Sequence, residues 1–472
     1  MIATLVERAG RGRPIFVAFA GAAGLTILLP GVALGHALNA TYASRLPLAV
    51  YLAGAAMTVG LSFAFVILRD VRAEIAVGDD RGGLPPAWLR LVLRAVGLVG
   101  WTWIVIQGIA GGSSDANVAT LFLNVYGWVG LALVSALIGP AWHWIDPFST
   151  LFDLGAAIVR RLPMTPWEIA DYPEALGRWP AAIGFVFFVW LELVLAPDPS
   201  TLFIILVGYT ALTLAMMSQF GRDAWRLNGE TFTVWFRLLG RLAPIALVDE
   251  SGRVRWRSFG SGLLETRWTV TEVAIVAIGV GAVLFDGLSQ TQIYFELFGF
   301  PELPQQTLLL LAFLGLVVGA ALLVTRLLGA DPAGAGLLPI AAGYVLAHYF
   351  TYLLIAGQQI VVAVSDPLQR GWNLFGSAFH EPTGEWLPPG LVWTIQLAAV
   401  VGGHMIGAWG GHAAAAATAP PGTTQRALRL RQLPLAVVMV ALTTLTLWSL
   451  GQDLVVTSDE AAIPVRTSAG PD

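Results

Sequence analysis

Cysteine is absent from all 472 residues, which excludes disulfides, thiolate metal centres, c-type haem attachment and cysteine nucleophiles. Lysine is absent as well, since the 26 basic residues are all arginine, a bias with no mechanistic meaning by itself. No GxSxG elbow, HExxH pair, Walker loop or glycine-rich dinucleotide turn occurs, which argues against soluble-type nucleotide chemistry. Charge is scarce: 12% of positions are charged and 56% hydrophobic, with mean hydropathy +0.73. Those values lie outside the range of soluble globular domains. The net charge of -4 says little about partners, because position along the chain matters more than the total. The composition implies an all-α, polytopic transmembrane helical bundle whose first partner is the lipid bilayer. Eighteen tryptophans suit aromatic belts at both membrane interfaces.

An apolar run from Ile15 to Leu34 follows Arg8, Arg11 and Arg13 and closes on Pro30, Gly31, Ala33 and Gly35. Residues 1-35 therefore read either as a signal peptide cleaved before His36 or as a retained first transmembrane helix. Ten further runs are each about 20 residues long, enough to span a bilayer. They are Leu46 to Leu68, Leu91 to Ile109, Ala119 to Ile138, Pro180 to Ala196, Thr201 to Met217, Val270 to Phe285, Thr307 to Leu328, Leu337 to Val364, Leu391 to Gly410 and Leu433 to Leu450. Threading them with the first run entering from the cytoplasm leaves only Arg45, Arg370 and Arg466 outside. The positive-inside rule demands that asymmetry, and a miscounted span would invert it. The expectation is a plasma-membrane protein, multi-pass through residues 36-452, with a polar outer tail at 453-472 and the C-terminus outside. Because topology explains the arginines, they lend no support to nucleic-acid binding.

Two inner segments, 147-162 and 221-266, carry structure of their own. Asp146 before Pro147 reads as an N-cap with proline at the first helical position. It opens an amphipathic helix through Phe148, Leu151, Phe152 and Ile158. Phe232, Trp235, Phe236, Leu239 and Leu242 form a second apolar stripe suited to the inner leaflet. Beyond it, IALV and RVRW flank Asp249 to Gly252, the pattern of a small hairpin.

Six histidines and a few acids carry the candidate chemistry. Taking its helix to start at Leu337, His348 lies about 16 Å from the inner end, near the midplane. Tyr352, Ile355 and Gln359 follow at helical spacing on one face, giving a polar stripe toward the outer surface. His404 lies about 10 Å from the inner end of the next helix, so the two imidazoles would sit within one turn of level. Gly403, Gly407 and Gly411 beside it form the small-residue ridge that lets helices approach closely. Close approach would allow His348 and His404 to share a metal or a proton, and the bland alternative is a core histidine bonded to a neighbouring helix. Glu192 is the only carboxylate well inside a span, a third ligand or general base unless it snorkels to the interface. Asp286, in FDGLSQT, reads as an outer turn that could contact substrate. Thr269 and Glu272 make a capping box, which gives Glu272 a structural role. His143 and His412 read as interfacial and His380 as a loop residue. If cleavage precedes His36, its amine and imidazole could chelate a metal.

Several segments in order resemble the integral-membrane fenitrothion hydrolase family. They include GHALNATYASRLPLAVYLAGAAMTVGLSF, GPAWHWIDPF, YPEALGRWPAAIGFVFFVWLELV, VLFDGLSQT, AHYFTYLLIAGQ, DPLQRGWNLFG, VWTIQLAAVVGGHMIGAWGGH and LPLAVVMVALTTLTLWSL. The resemblance covers most of the chain from Gly35 onward. It implies a membrane-bound hydrolase of organophosphate esters, and it assigns no catalytic residue. On this reading a divalent metal held by His348 and His404, with His36 added if cleavage precedes it, acidifies a water, Glu192 or a histidine takes the proton, and Tyr352, Gln359 and Asp286 face a small lipophilic substrate. Two other classes compete. A haem b or copper subunit of a redox complex would use the same histidines as ligands, and a proton-coupled transporter would use them with Glu192 as a relay.

Overall fold

Helices begin and end where the apolar runs meet polar caps, proline or glycine. The computed structural model describes residues 52–54, 56, 57, 60, 61, 82–112, 116–161 and 170–450, and helix dominates them. The 1-35 segment, His36 and the 453-472 tail lie outside the described residues, as does most of the Leu46 to Leu68 run. In chain order the principal helices are α1 (Ala87–Ala110), α2 (Val118–Leu137), α3 (Pro147–Val159), α4 (Trp179–Leu195), α5 (Pro199–Phe220), α6 (Thr231–Leu239), α7 (Val270–Ser289), α8 (Leu303–Leu328), α9 (Ala330–Ser365), α10 (Pro389–Thr418) and α11 (Leu433–Leu450). Eight helices among the described residues are long and apolar enough to cross a membrane, and α4 is a shorter apolar helix. They coincide with nine of the ten runs named above.

The caps are local and explain the boundaries. Asp146 accepts from the Phe148 and Ser149 amides with Pro147 behind it, and Asp198 does the same for Ser200 and Thr201 ahead of α5. Thr269 and Glu272 form the expected capping box at α7. Each side chain satisfies donors that a helix start leaves without partners. Ile245–Leu247 (β1) and Val254–Trp256 (β2) pair antiparallel as the expected hairpin.

Burial separates centre from periphery: 89% of the apolar stretch of α7 is covered by protein, against 11% for α1. Leu91, Val99 and Ile109 on α1, Ile204 on α5, and Leu308, Leu316 and Leu323 on α8 all face outward. Apolar surface that continuous is what a lipid-facing wall presents. Glycine lets α9 and α10, which run antiparallel, come into backbone contact. A Cβ on Gly403 would lie 2.6 Å from the Pro339 carbonyl oxygen, and one on Gly407 2.3 Å from that of Gly336.

Two elements differ from expectation. The α6 helix does not lie on a surface: eight of its nine residues are buried. Trp235 stacks on Trp128 at 6.2 Å and meets Phe185 at 4.8 Å, and its ring fills the space beside Gly279 halfway along α7. Val234 and Leu238 widen the apolar arc beyond that stripe, and the two threonines are satisfied inside the protein, Thr231 donating to the Ala181 carbonyl and Thr233 accepting from Trp142 Nε1, so only the Arg237 side asks for water. The tryptophans, moreover, are not confined to belts. Trp101, Trp128, Trp142, Trp235, Trp268 and Trp393 are all buried.

Candidate functional site

Asp286 and Gly287 are helical, one turn before the end of α7. No turn forms there, because Gln290, four residues on, donates its Nε2 to Asp286 Oδ1 at 2.7 Å and ties the last turn together. The other carboxylate oxygen is doubly engaged, by His348 Nε2 at 2.9 Å and the Tyr349 hydroxyl at 2.8 Å. An ionised carboxylate only accepts, so in the neutral imidazole Nε2 carries the proton and Nδ1 keeps its lone pair. No described residue bonds that Nδ1. The pair is not sealed, since the His348 and Asp286 side chains retain 17% and 12% exposure.

Glu192 joins this cluster from α4. It is close enough to Asp286 and Tyr349 for its charge to act on both, and among the described residues its carboxylate has no hydrogen-bond partner. It sits in a π-helical stretch, Leu191–Leu195. The second π-helical stretch among the described residues, Phe122–Gly130 in α2, carries Trp128, whose ring meets Tyr349 edge-on at 6.2 Å. Single π turns inside α-helices collect at functional sites because the extra residue re-aims side chains. Here one stretch carries Glu192 and the other Trp128.

Helix α9 begins at Ala330, seven residues before the run that the sequence suggested. His348 is therefore about 27 Å from that end, level with the last turn of α7, where Asp286 sits. His404 lies elsewhere. The antiparallel register is read from Gly336 against Gly407, Pro339 against Gly403 and Gln396 Nε2 donating to the Ala347 carbonyl. It sets His404 level with Pro339, nine residues and about 13 Å along the axis from His348. The expectation that the two rings lie within one turn of each other is not met. His404 is fully buried, its Nδ1 2.8 Å from its own helix's Val400 carbonyl and its Nε2 3.5 Å from the Tyr344 hydroxyl.

His348 and His404 do not share one metal site. Among the described residues no three of His, Asp and Glu converge as metal ligands. His348 and Asp286 spend their facing atoms on each other, and both His404 nitrogens point at protein atoms in a fully buried site. Tyr352 is 40% exposed, its ring 6.4 Å from that of Tyr349. A 3-10 turn at Ala356–Gln358 interrupts α9, so Gln359 leaves the face of His348 and lines a separate cavity of about 360 Å³ with His380 and Glu381. His412 is buried against Gln432 Oε1 at 2.8 Å. His143 borders a cavity at the opposite end of the bundle.

Sequence reasoning missed Tyr349, Gln290 and Trp128. Gln290 was legible as the i+4 neighbour of Asp286. No local signal marks the π stretches.

The fold and cluster define a helical bundle of membrane-spanning character with a carboxylate–imidazole pair near one end. Compared with known proteins, the chain matches no family model, no curated protein and no solved structure.

Proposed function

We propose that this chain is a plasma-membrane protein of ten spans, with its C-terminus outside, and that Asp286 and His348 form a metal-free general-base pair acting on a small lipophilic ester. The observation that carries the reading is the 2.9 Å bond from His348 Nε2 to Asp286 Oδ2. It fixes the imidazole's tautomer and orientation and leaves Nδ1 as the acceptor, as a hydrolytic His–carboxylate pair requires. The resemblance to the fenitrothion hydrolase family supplies the substrate class, an organophosphate triester. In the proposed step His348 Nδ1 takes a proton from water, the water oxygen bonds to phosphorus, and the bond to the aryl oxygen breaks with the aryloxide leaving. Tyr349 and Gln290 hold Asp286, and Asp286 stabilises the imidazolium that forms. A neutral triester partitions into the bilayer and reaches the outer half of the bundle from the side. Support for the topology comes from the clustering of arginine at the far end from His348.

The test is fenitrothion hydrolysis by purified protein carrying His348→Ala or Asp286→Asn. Either change lowers kcat by about 10²–10⁴-fold, the usual share of a positioned base, while His404→Gln, if folded, keeps the rate. A wild-type protein without hydrolysis, or an unchanged His348→Ala, removes this reading. Glu192, lacking a partner beside two titratable groups, favours one second reading, a proton relay in a transporter. That reading requires proton flux in proteoliposomes that Glu192→Gln abolishes.

A further inference from the structure

A cavity of about 620 Å³ opens at the other end of α7, roughly 20 Å from Asp286 along the helix. Between α6, the β1–β2 hairpin and the start of α7 its wall carries seven arginines, two glutamates and His143. Three carboxylates, the two on the wall and Glu250 behind Arg226 and Arg237, are each shared by two guanidiniums. Glu265 holds Arg255 at 2.6 Å and Arg257 at 2.7 Å. Glu272 holds Arg241 at 2.6 Å and Arg178 at 3.3 Å, and Glu250 holds Arg237 at 2.6 Å and Arg226 at 3.5 Å. One negative charge between two positive ones leaves each group cationic. Asp146 on Arg226 and Asp331 on Arg267 reduce the excess without cancelling it.

Orientation of the loops accounts for arginine at this end, but solvated arginines would satisfy it equally well. These are withdrawn from water: the side chains of Arg257 and Arg241 are only 9% and 14% exposed. Arg241 is clamped with its guanidinium 4.0 Å over the Trp268 ring, and its Nη1 has no hydrogen-bond partner. The surroundings register the charge. Burial foremost, then Arg226 and Arg237, hold the His143 pKa down to about 3. Burial pulls Arg241 down to about 10, opposed by Glu272 and reinforced by Arg178 and Arg237. Glu272 engages Nη2 only, and a buried guanidinium donor left without an acceptor is costly unless a second acceptor meets it.

We propose that this cavity binds a phosphate-bearing anion, either a soluble phosphate compound or the headgroup of an anionic lipid. Its volume lies within the range of small-molecule sites, and guanidiniums match phosphate oxygens in a bidentate fork. The inference does not depend on the ester-hydrolysis reading.

Binding is measured calorimetrically on the full chain with inorganic pyrophosphate in detergent, and in nanodiscs of phosphatidylcholine with and without phosphatidic acid. Saturable pyrophosphate binding that weakens with salt, and by about tenfold or more in Arg241→Gln, supports a soluble ligand. Saturation only with phosphatidic acid, with the same loss, assigns the headgroup. Arg237→Gln, at a more exposed side chain, gives the same direction of change if Arg241→Gln does not fold. Arg94→Gln, whose partner Asp153 lies outside the cavity wall, leaves binding unchanged. Absence of saturable binding of either probe, or equal weakening in Arg94→Gln, overturns the proposal.

Discussion

Adding one methyl group at a time along the α10 glycine ridge grades how closely α9 and α10 touch. In Gly407→Ala the new Cβ would sit 2.3 Å from the Gly336 carbonyl oxygen, and in Gly403→Ala 2.6 Å from that of Pro339. Both neighbours are backbone, so relief requires the helices to part by about 1 Å toward an ordinary 3.5 Å contact. In Gly411→Ala the nearest atom, at 2.8 Å, is the tip of Leu435, which can rotate away, and the nearest backbone atom, the Pro332 carbonyl oxygen at 3.2 Å, has to give only a few tenths of an ångström. Gly402 meets nothing within 4 Å. Overpacking costs about 1–3 kcal/mol, offset by about 0.8 kcal/mol that alanine gains over glycine inside any helix. The expected net losses are therefore about 2 kcal/mol for Gly407→Ala, about 1 for Gly403→Ala and near zero for Gly411→Ala, with Gly402→Ala neutral or stabilising. Unfolding in dodecyl maltoside titrated with SDS, followed by tryptophan fluorescence, reads the series. A Gly402→Ala loss as large as that of Gly407→Ala, or three neutral ridge variants, would show that the helices do not meet on this ridge.

Arg226→Met strands the buried Asp146, whose side chain is 1% exposed. Ser149 and two backbone amides still serve that carboxylate, so the loss falls at the lower end of the usual range, about 3 kcal/mol. The double variant Arg226→Met with Asp146→Asn keeps the cap and recovers most of the loss in the same assay. A double variant no better than the single one would place the damage elsewhere. His143 binds a proton in the unfolded chain near pH 6.5 but only near pH 3 when folded. Its contribution to stability is whole above pH 6.5 and is lost as pH falls from there toward 3. His143→Gln should flatten that part of the stability profile, and an unchanged slope would refute the assignment.

The helices were legible because lipid imposes a length and an apolar content on each span, and both are properties of consecutive residues. The same holds for the caps made by Asp146, Thr269 and Glu272, whose bonded amides lie within three positions. The partner of His348 was not legible. Asp286 is 62 residues away on α7, and nothing local distinguishes its Asp-Gly from a turn. His404 went the other way: at a similar apparent depth by counting, it was drawn to a backbone carbonyl once the register of α9 against α10 was set.

By itself the chain determined an apolar, helical, arginine-asymmetric architecture and the caps at its boundaries, because those follow from neighbours within one or two turns. Tertiary structure alone decided which acid meets which imidazole, that α6 enters the core, and that arginines from separate segments converge on one cavity. Those contacts join residues tens to hundreds of positions apart, and their geometry depends on helix register and on π turns that no short stretch encodes.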